Sequence, residues 1–158
     1  MITPTSETAV HPIGLLHSSF TEPAGMPIQG IYAPDSLGTA ELFPEFAAGL
    51  ADLDGFSHLY LIYLFDRSSG YSLTVTPFRD STPRGVFATR APRRPNPLGL
   101  SIVRLIAREG NVLRLAEVDF LDGTPLLDIK PYVPAFDCRA ECRSGWIERG
   151  DDRTIADG

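Results

Sequence analysis

The sequence predicts a mainly β fold, closed as a barrel and carrying few short helices. Three observations lead there. Short runs of alternating, β-branched or aromatic residues recur along the 158-residue chain, turn signals separate them, and no convincing helical pattern interrupts them. A hydrophobic content of 43% and a charged content of 22% suit one soluble domain large enough to bury a core. No apolar run approaches the roughly 18 residues of a membrane span, the longest candidate being Leu59–Phe65. The start, MITPTSETAV, lacks the basic head and apolar stretch of a signal peptide, so the expectation is a cytoplasmic protein without a membrane partner.

The elements follow in order. Residues 1–9 are polar and read as a flexible N-terminus, residues 10–147 as the barrel domain, and residues 148–158 as a flexible polar tail. His11–Ser18 holds a short apolar strand. Thr21–Pro34 is a Gly- and Pro-rich loop with a brief extended piece near Gly30–Ala33. Thr39–Leu50 reads as a helix capped by Thr39, kept short or broken by Pro44. Phe56–Phe65, FSHLYLIYLF, has the aromatic and β-branched density of a strand buried on both faces. Ser72–Phe78 alternates and reads as another strand. Ser101–Arg108 and Val112–Val118 alternate around Glu109-Gly110-Asn111, a hairpin turn, although the first run is also long enough for a helix. As a strand it sets Ile102, Arg104, Ile106 and Arg108 on one face and Val103, Leu105 and Ala107 on the other. Thr124–Tyr132, after Gly123, is the last extended piece.

Charge is segregated. From Ser81 to Arg108 there are six arginines and no Asp or Glu, so a chain of net charge −6 holds a segment of +6 and leaves −12 for the rest. Arg84–Ser101 within it, RGVFATRAPRRPNPLGLS, adds three prolines that restrict the loop before anything binds. Such a segment is a site for an anion, a carboxylate or a phosphate backbone, or else a solvated, proline-stiffened loop. The second informative stretch is DFLDGTPLLDIKPYVP, Asp119–Pro134. Asp128 and Lys130 stand at i and i+2 of an extended run and share a face. Lys130 is the single lysine beside thirteen arginines, which marks either a point-charge role or an ordinary salt bridge to Asp128.

Several chemistries find no residues. Cys138 and Cys142 are spaced unlike a CxxC pair, and His11, His17 and His58 are scattered, so no metal is expected and the thiols read as free. There is no Gly-x-Ser-x-Gly elbow, no Walker loop and no GxGxxG opening a helix, so any cofactor is held by loops around a β scaffold.

Taken together, FSHLYLIYLF, RGVFATRAPRRPNPLGLS, LDGTPLLDIKPYVPAFD and Gly145-Trp146 resemble the TsaA-like family, which includes the TrmO enzymes, over about Ile13 to Trp146. The resemblance implies a single-sheeted β-barrel, commonly a homodimer. It implies S-adenosylmethionine as cofactor and methyl transfer to N6 of threonylcarbamoyladenosine beside the anticodon of tRNA, with no DNA partner. By matching motifs it places Pro27, Ile28, Gln29, Asp66, Arg67, Arg90, Leu100, Asp119, Phe120, Leu121 and Asp122 at the cofactor. Arg84, Arg93, Arg94, Asn96 and Tyr132 fall to the tRNA, and Asp128 with Lys130 to catalysis. Ile28 and Asp66 depart from the family pattern, where an arginine and a histidine are common, and the chain ends soon after the barrel. Physical reasoning beside it gives Arg90 a cofactor or phosphate contact, Leu100 the adenine, and one of Asp119 or Asp122 a polar contact. The proton of the acceptor amine goes to Asp128 or to water. Tyr132 and Phe87 are base stackers or core residues. The pI near 5.0 keeps two alternatives open, a small-molecule methyltransferase on the same barrel and a non-catalytic S-adenosylmethionine-binding protein.

Overall fold

The computed structural model describes Thr3, residues 6–78 and residues 80–149, so the expected tail lies outside the described residues from 150 on, as do residues 1, 2, 4 and 5. Two compact units emerge, residues 1–66 with 98–132 and residues 67–97 with 133–158. Among the described residues eight strands occur in chain order: β1 (Gly14–Ser18), β2 (Leu37–Leu42), β3 (His58–Leu64), β4 (Thr74–Val75), β5 (Arg84–Gly85), β6 (Leu98–Glu109), β7 (Val112–Ala116) and β8 (Thr124–Pro131). The helical segments among the described residues are one α-helical turn, Pro134–Asp137, and short 3-10 segments.

The first unit is a closed barrel in the order β1-β2-β7-β6-β3-β8, with β8 returning to β1 and every pair antiparallel. The mainly β expectation holds. Each strand points one face inward, and Leu16, Ala40, Leu59, Leu61, Val103, Leu113, Leu115 and Leu126 meet there with no exposure. Fully burying one such leucine stabilises the fold by about 1.5–3 kcal/mol. The hairpin of β6 and β7 forms as expected, with Gly110 at φ +65 supplying the left-handed turn residue. β6 is a strand, not a helix, because it pairs with β3 through Leu98–Arg104 and with β7 through Arg104–Glu109. A register shift between Leu105 and Ala107 bends it between the two partners.

Four expectations need correction. Thr39 caps no helix: it lies inside β2, whose backbone is bonded to β1 on one side and β7 on the other. Pro44 instead begins a 3-10 segment, Pro44–Leu50, where its missing N–H costs nothing. β3 is buried on one face only, since closure of the barrel leaves His58, Tyr60, Ile62 and Leu64 on the outside, half-buried. Of Ser72–Phe78 only Thr74–Val75 pairs, against β5 in the second unit. The piece near Gly30–Ala33 is a 3-10 turn, Gly30–Tyr32, closed by Tyr32 N–H donating to the Gln29 carbonyl at 3.0 Å. No helix among the described residues is long and apolar enough to cross a membrane.

A second register shift lies between β3 and β8. Ile62 pairs with Asp128 and Tyr63 with Leu126, so Leu127 is an extra residue in β8. Leu126 points into the core; strict alternation would send Asp128 inward as well. The bulge reverses the phase, and Asp128 joins Ile62 and Lys130 on the outer face.

Candidate functional site

In the first unit the outer face of β8, β3 and β6 is ordered by register. One row runs Asp128–Ile62–Leu100 and the next Lys130–Tyr60–Ile102, so Asp128 and Leu100 sit two strand spacings, roughly 10 Å, apart across Ile62. Lys130 Nζ lies 3.0 Å from Asp128 Oδ2, while Asp128 Oδ1 accepts from the Ile129 N–H at 2.9 Å. The lysine and its carboxylate share a face, as the i, i+2 spacing required. Tyr132 packs its ring 5.5 Å from Tyr60 and edge-on to His58. Around this charged pair the face is apolar: Leu98, Leu100 and Ile102 are 44%, 48% and 43% exposed. At its far margin the Glu117 carboxylate lies 3.5 Å from Arg104 Nε and 4.0 Å from His58 Nε2.

A polar chain leads from the barrel interior to the loop carrying Pro27, Ile28 and Gln29. The Tyr63 ring covers Gly99, where any Cβ would come within 2.1 Å of it, and the Tyr63 hydroxyl meets Ser101 Oγ at 3.0 Å. Ser101, buried, donates in turn to Asp119 Oδ1. Asp119 Oδ2 accepts the Gly30 N–H at 3.1 Å. Gly30 is there because nothing larger fits: a Cβ would stand 1.8 Å from the Glu117 carbonyl oxygen. Glu117 itself has φ +64, a left-handed conformation that costs a non-glycine residue on the order of 1 kcal/mol.

The rest of the 119–122 stretch divides its work. The Phe120 side chain is core, buried and edge-on to Tyr63 at 6.1 Å, so only its backbone faces outward, where its carbonyl accepts from Ser18 Oγ. Leu121 is half-buried and its carbonyl accepts from Thr124 Oγ1. Asp122 is exposed and receives His17 Nδ1 at 3.1 Å and the Ser18 N–H at 3.3 Å, while Glu41 flanks the same imidazole at 3.7 Å. A shallow hollow of about 310 Å³ lies beside His17, Thr39 and Arg114 and contains none of the residues expected from the sequence. Ile28 is exposed, Pro27 and Gln29 half-buried, and Asp66, last residue of the unit's first segment, is exposed.

The second unit holds Arg67 and the arginine-rich loop. Arg84 and Arg94 make defined contacts within the unit. Arg84 Nε donates to Asp80 at 2.7 Å and its guanidinium lies 5.4 Å from the Trp146 ring centre. Trp146 Nε1 donates to the Ala88 carbonyl at 2.8 Å. Arg94 Nη1 turns back onto the carbonyls of Thr89 and Ala91, at 3.0 and 3.3 Å. Arg67, Arg90, Arg93 and Asn96 are exposed. The Thr82 N–H first, and then Arg84, hold the Asp80 carboxyl below its ordinary 3.8. With a lowered native pKa, what this pair contributes is complete above pH 3.8 and is lost as pH falls through the lowered value. Sequence reasoning missed Tyr63, Ser101, Gly30 and Trp146 as working parts. Of these, only the Gly145-Trp146 pair carried any signal.

Comparison with known proteins gives a consistent answer. The family model described as "tRNA-methyltransferase O N-terminal domain" matches residues 15–138. A "Probable S-adenosyl-L-methionine-binding protein" of Pyrococcus abyssi is 57% identical over 138 residues, covering 87% of this chain and 75% of that protein. A "tRNA (adenine(37)-N6)-methyltransferase" of Mus musculus is 37% identical over 133 residues, covering 80% of this chain but 31% of the mouse protein. Among solved structures, TrmO from Pseudomonas aeruginosa superposes with a TM-score of 0.76 at 43% identity, over 89% of this chain and 62% of that one. The chain therefore spans less than two thirds of the solved relative and about a third of the mouse enzyme.

Proposed function

The chain belongs to the TrmO family, and on that premise we propose that it is an S-adenosylmethionine-dependent methyltransferase acting on N6 of threonylcarbamoyladenosine beside the anticodon of tRNA. The observation that carries the reading is the Asp128–Lys130 pair, turned outward by the bulge onto an otherwise apolar barrel face.

The donor set of the first unit suits the cofactor. Half-exposed Leu100 and Ile102 offer an apolar bed for an adenine, and the carboxylate of Asp119 or Asp122 a partner for ribose hydroxyls. Pro27, Ile28, Gln29 and Asp66 border it, with Phe120 and Leu121 contributing backbone. Bound S-adenosylmethionine supplies a methyl group activated on a sulfonium. The chain's own residues supply position and charge. The exocyclic amine of adenine has a delocalised lone pair and is a poor nucleophile, so Asp128 orients its N–H and takes the proton as the new bond forms. Lys130, 3.0 Å away, holds that carboxylate in place. Arg90, Arg93 and Arg67 of the second unit contact tRNA phosphates, and Asn96 and Tyr132 the loop bases. Arg84 and Arg94 set the loop's shape.

Calorimetric titration with S-adenosylmethionine, followed by methyl transfer to total tRNA with and without the threonylcarbamoyl group, tests this. Binding with transfer only to modified tRNA is expected. Asp128→Asn is expected to lower turnover of the saturated complex by about 10²-fold or more, the usual worth of a positioned acid or base. Unchanged turnover ends the role assigned to Asp128. Binding without transfer moves the acceptor to a small molecule or leaves a sensor.

The same apolar row suits a second copy of the chain. Ile102→Asp is expected to convert a homodimer into a monomer, read by light scattering, since a buried unpaired charge costs several kcal/mol. A wild-type protein already monomeric would rule this out.

A further inference from the structure

The 3-10 turn Val86–Ala88 of the second unit presents one aromatic ring on a fixed base. Val86 is buried and its N–H donates to the Leu73 carbonyl at 2.9 Å. The turn is closed twice onto the Val86 carbonyl, by Thr89 N–H at 3.1 Å and Thr89 Oγ1 at 2.8 Å. On the other side the Ala88 carbonyl is held by Trp146, whose ring carries Arg84, itself paired with Asp80. Between these anchors the Phe87 ring is 74% exposed. The reading of Phe87 as a core residue is therefore corrected.

A single exposed apolar residue means little on its own. Phe87 differs because its backbone is fixed on both sides and the chain segment that carries it holds one sign of charge. Arg90 follows three residues later, within roughly 11 Å of chain, and Arg93 three beyond that, both exposed, with no acidic residue between Ser81 and Arg108. A flat, exposed apolar ring followed along the chain by exposed arginines complements a polyanion whose bases are unpaired, since each base offers a face for stacking while arginines meet the phosphates.

We propose that Phe87 is a stacking platform for an unpaired base of an RNA loop, with Arg90 and Arg93 holding the phosphates beside it. This rests on the reading of tRNA as the acceptor and adds which residue grips the loop. Trp146 and Arg84 serve it indirectly: they fix the turn, so that the ring is ordered before RNA arrives.

The test is fluorescence anisotropy with a synthetic anticodon stem–loop RNA and a fully paired RNA of equal length, using wild-type protein, Phe87→Ala and Phe87→Tyr. Phe87→Ala is expected to weaken stem–loop binding about tenfold or more, the range for removing one base–aromatic stack, with Phe87→Tyr near wild type. Binding to paired RNA and the melting temperature should hold. Wild-type binding of the stem–loop with Phe87→Ala equal to it overturns the platform and leaves the tRNA reading standing. Equal losses on looped and paired RNA also overturn it, as does dissociation of a dimer by Phe87→Ala, which would make the ring a contact between copies. No RNA binding by the wild-type protein overturns both readings.

Discussion

Gly30→Ala should disable the proposed cofactor site while leaving the barrel closed. The added methyl would meet the Glu117 carbonyl oxygen at 1.8 Å and its carbon at 2.7 Å, and these are backbone atoms. Glu117 has little room to retreat, because Ala116 and Val118 on either side are fully buried. The 27–32 loop must move instead, which breaks the bond from Gly30 N–H to Asp119. Overpacking of this kind costs about 1–3 kcal/mol. For a chain of this size that lowers the melting temperature by roughly 2–12 °C. The larger effect is expected on S-adenosylmethionine affinity, a fall of at least about tenfold, because positioning is most of what the loop contributes. Calorimetric titration beside a melting curve separates the two. Wild-type affinity in a destabilised variant would mean that the loop serves only the fold.

Asp119→Ala is the second large effect, and it acts from inside the barrel. Two donors lose their acceptor at once: the hydroxyl of buried Ser101 and the Gly30 N–H. Each unsatisfied buried donor costs about 1–3 kcal/mol, so a total of about 2–6 kcal/mol is expected for the two. Asp119→Asn should cost less than half as much. Its carbonyl oxygen accepts from Gly30, and its NH₂ donates to Ser101 Oγ, which reverses direction and donates to the Tyr63 hydroxyl. The Ala-to-Asn ordering is measured by chemical denaturation. Equal losses would show that the negative charge, and not the hydrogen-bond pattern, holds the chain together.

These two variants also mark where the sequence could be read. The hairpin of β6 and β7 was legible because alternation and a glycine turn are local signals, and Asp128 with Lys130 because two residues apart on a strand means one face. The β2 segment was misread as helix because LGTAEL has no strong alternation of its own; its pairing on both sides decides it. FSHLYLIYLF is apolar at every second position on both faces, and a sequence does not say whether the outer one awaits a core or a ligand. Tyr63, Ser101, Asp119 and Gly30 lie far apart in the chain and meet only through strand register, so no spacing announces them. For the arginine loop the charge was plain, but not which guanidinium groups were already occupied: that depended on Asp80, Trp146 and the carbonyls of Thr89 and Ala91.

The extra residue at Leu127 has an evolutionary corollary. β8 is two strands in phase opposition, joined end to end. Its first half, through Leu126, is constrained by what the barrel interior tolerates, and its second half, from Asp128, by what the exterior must do. Because the phase changes between them, a substitution on the outward positions of the second half need not be reconciled with the packing of the first. One inserted residue thus insulates the Asp128–Lys130 pair from the core, and lets the outer face drift or specialise on a scaffold that stays as it is.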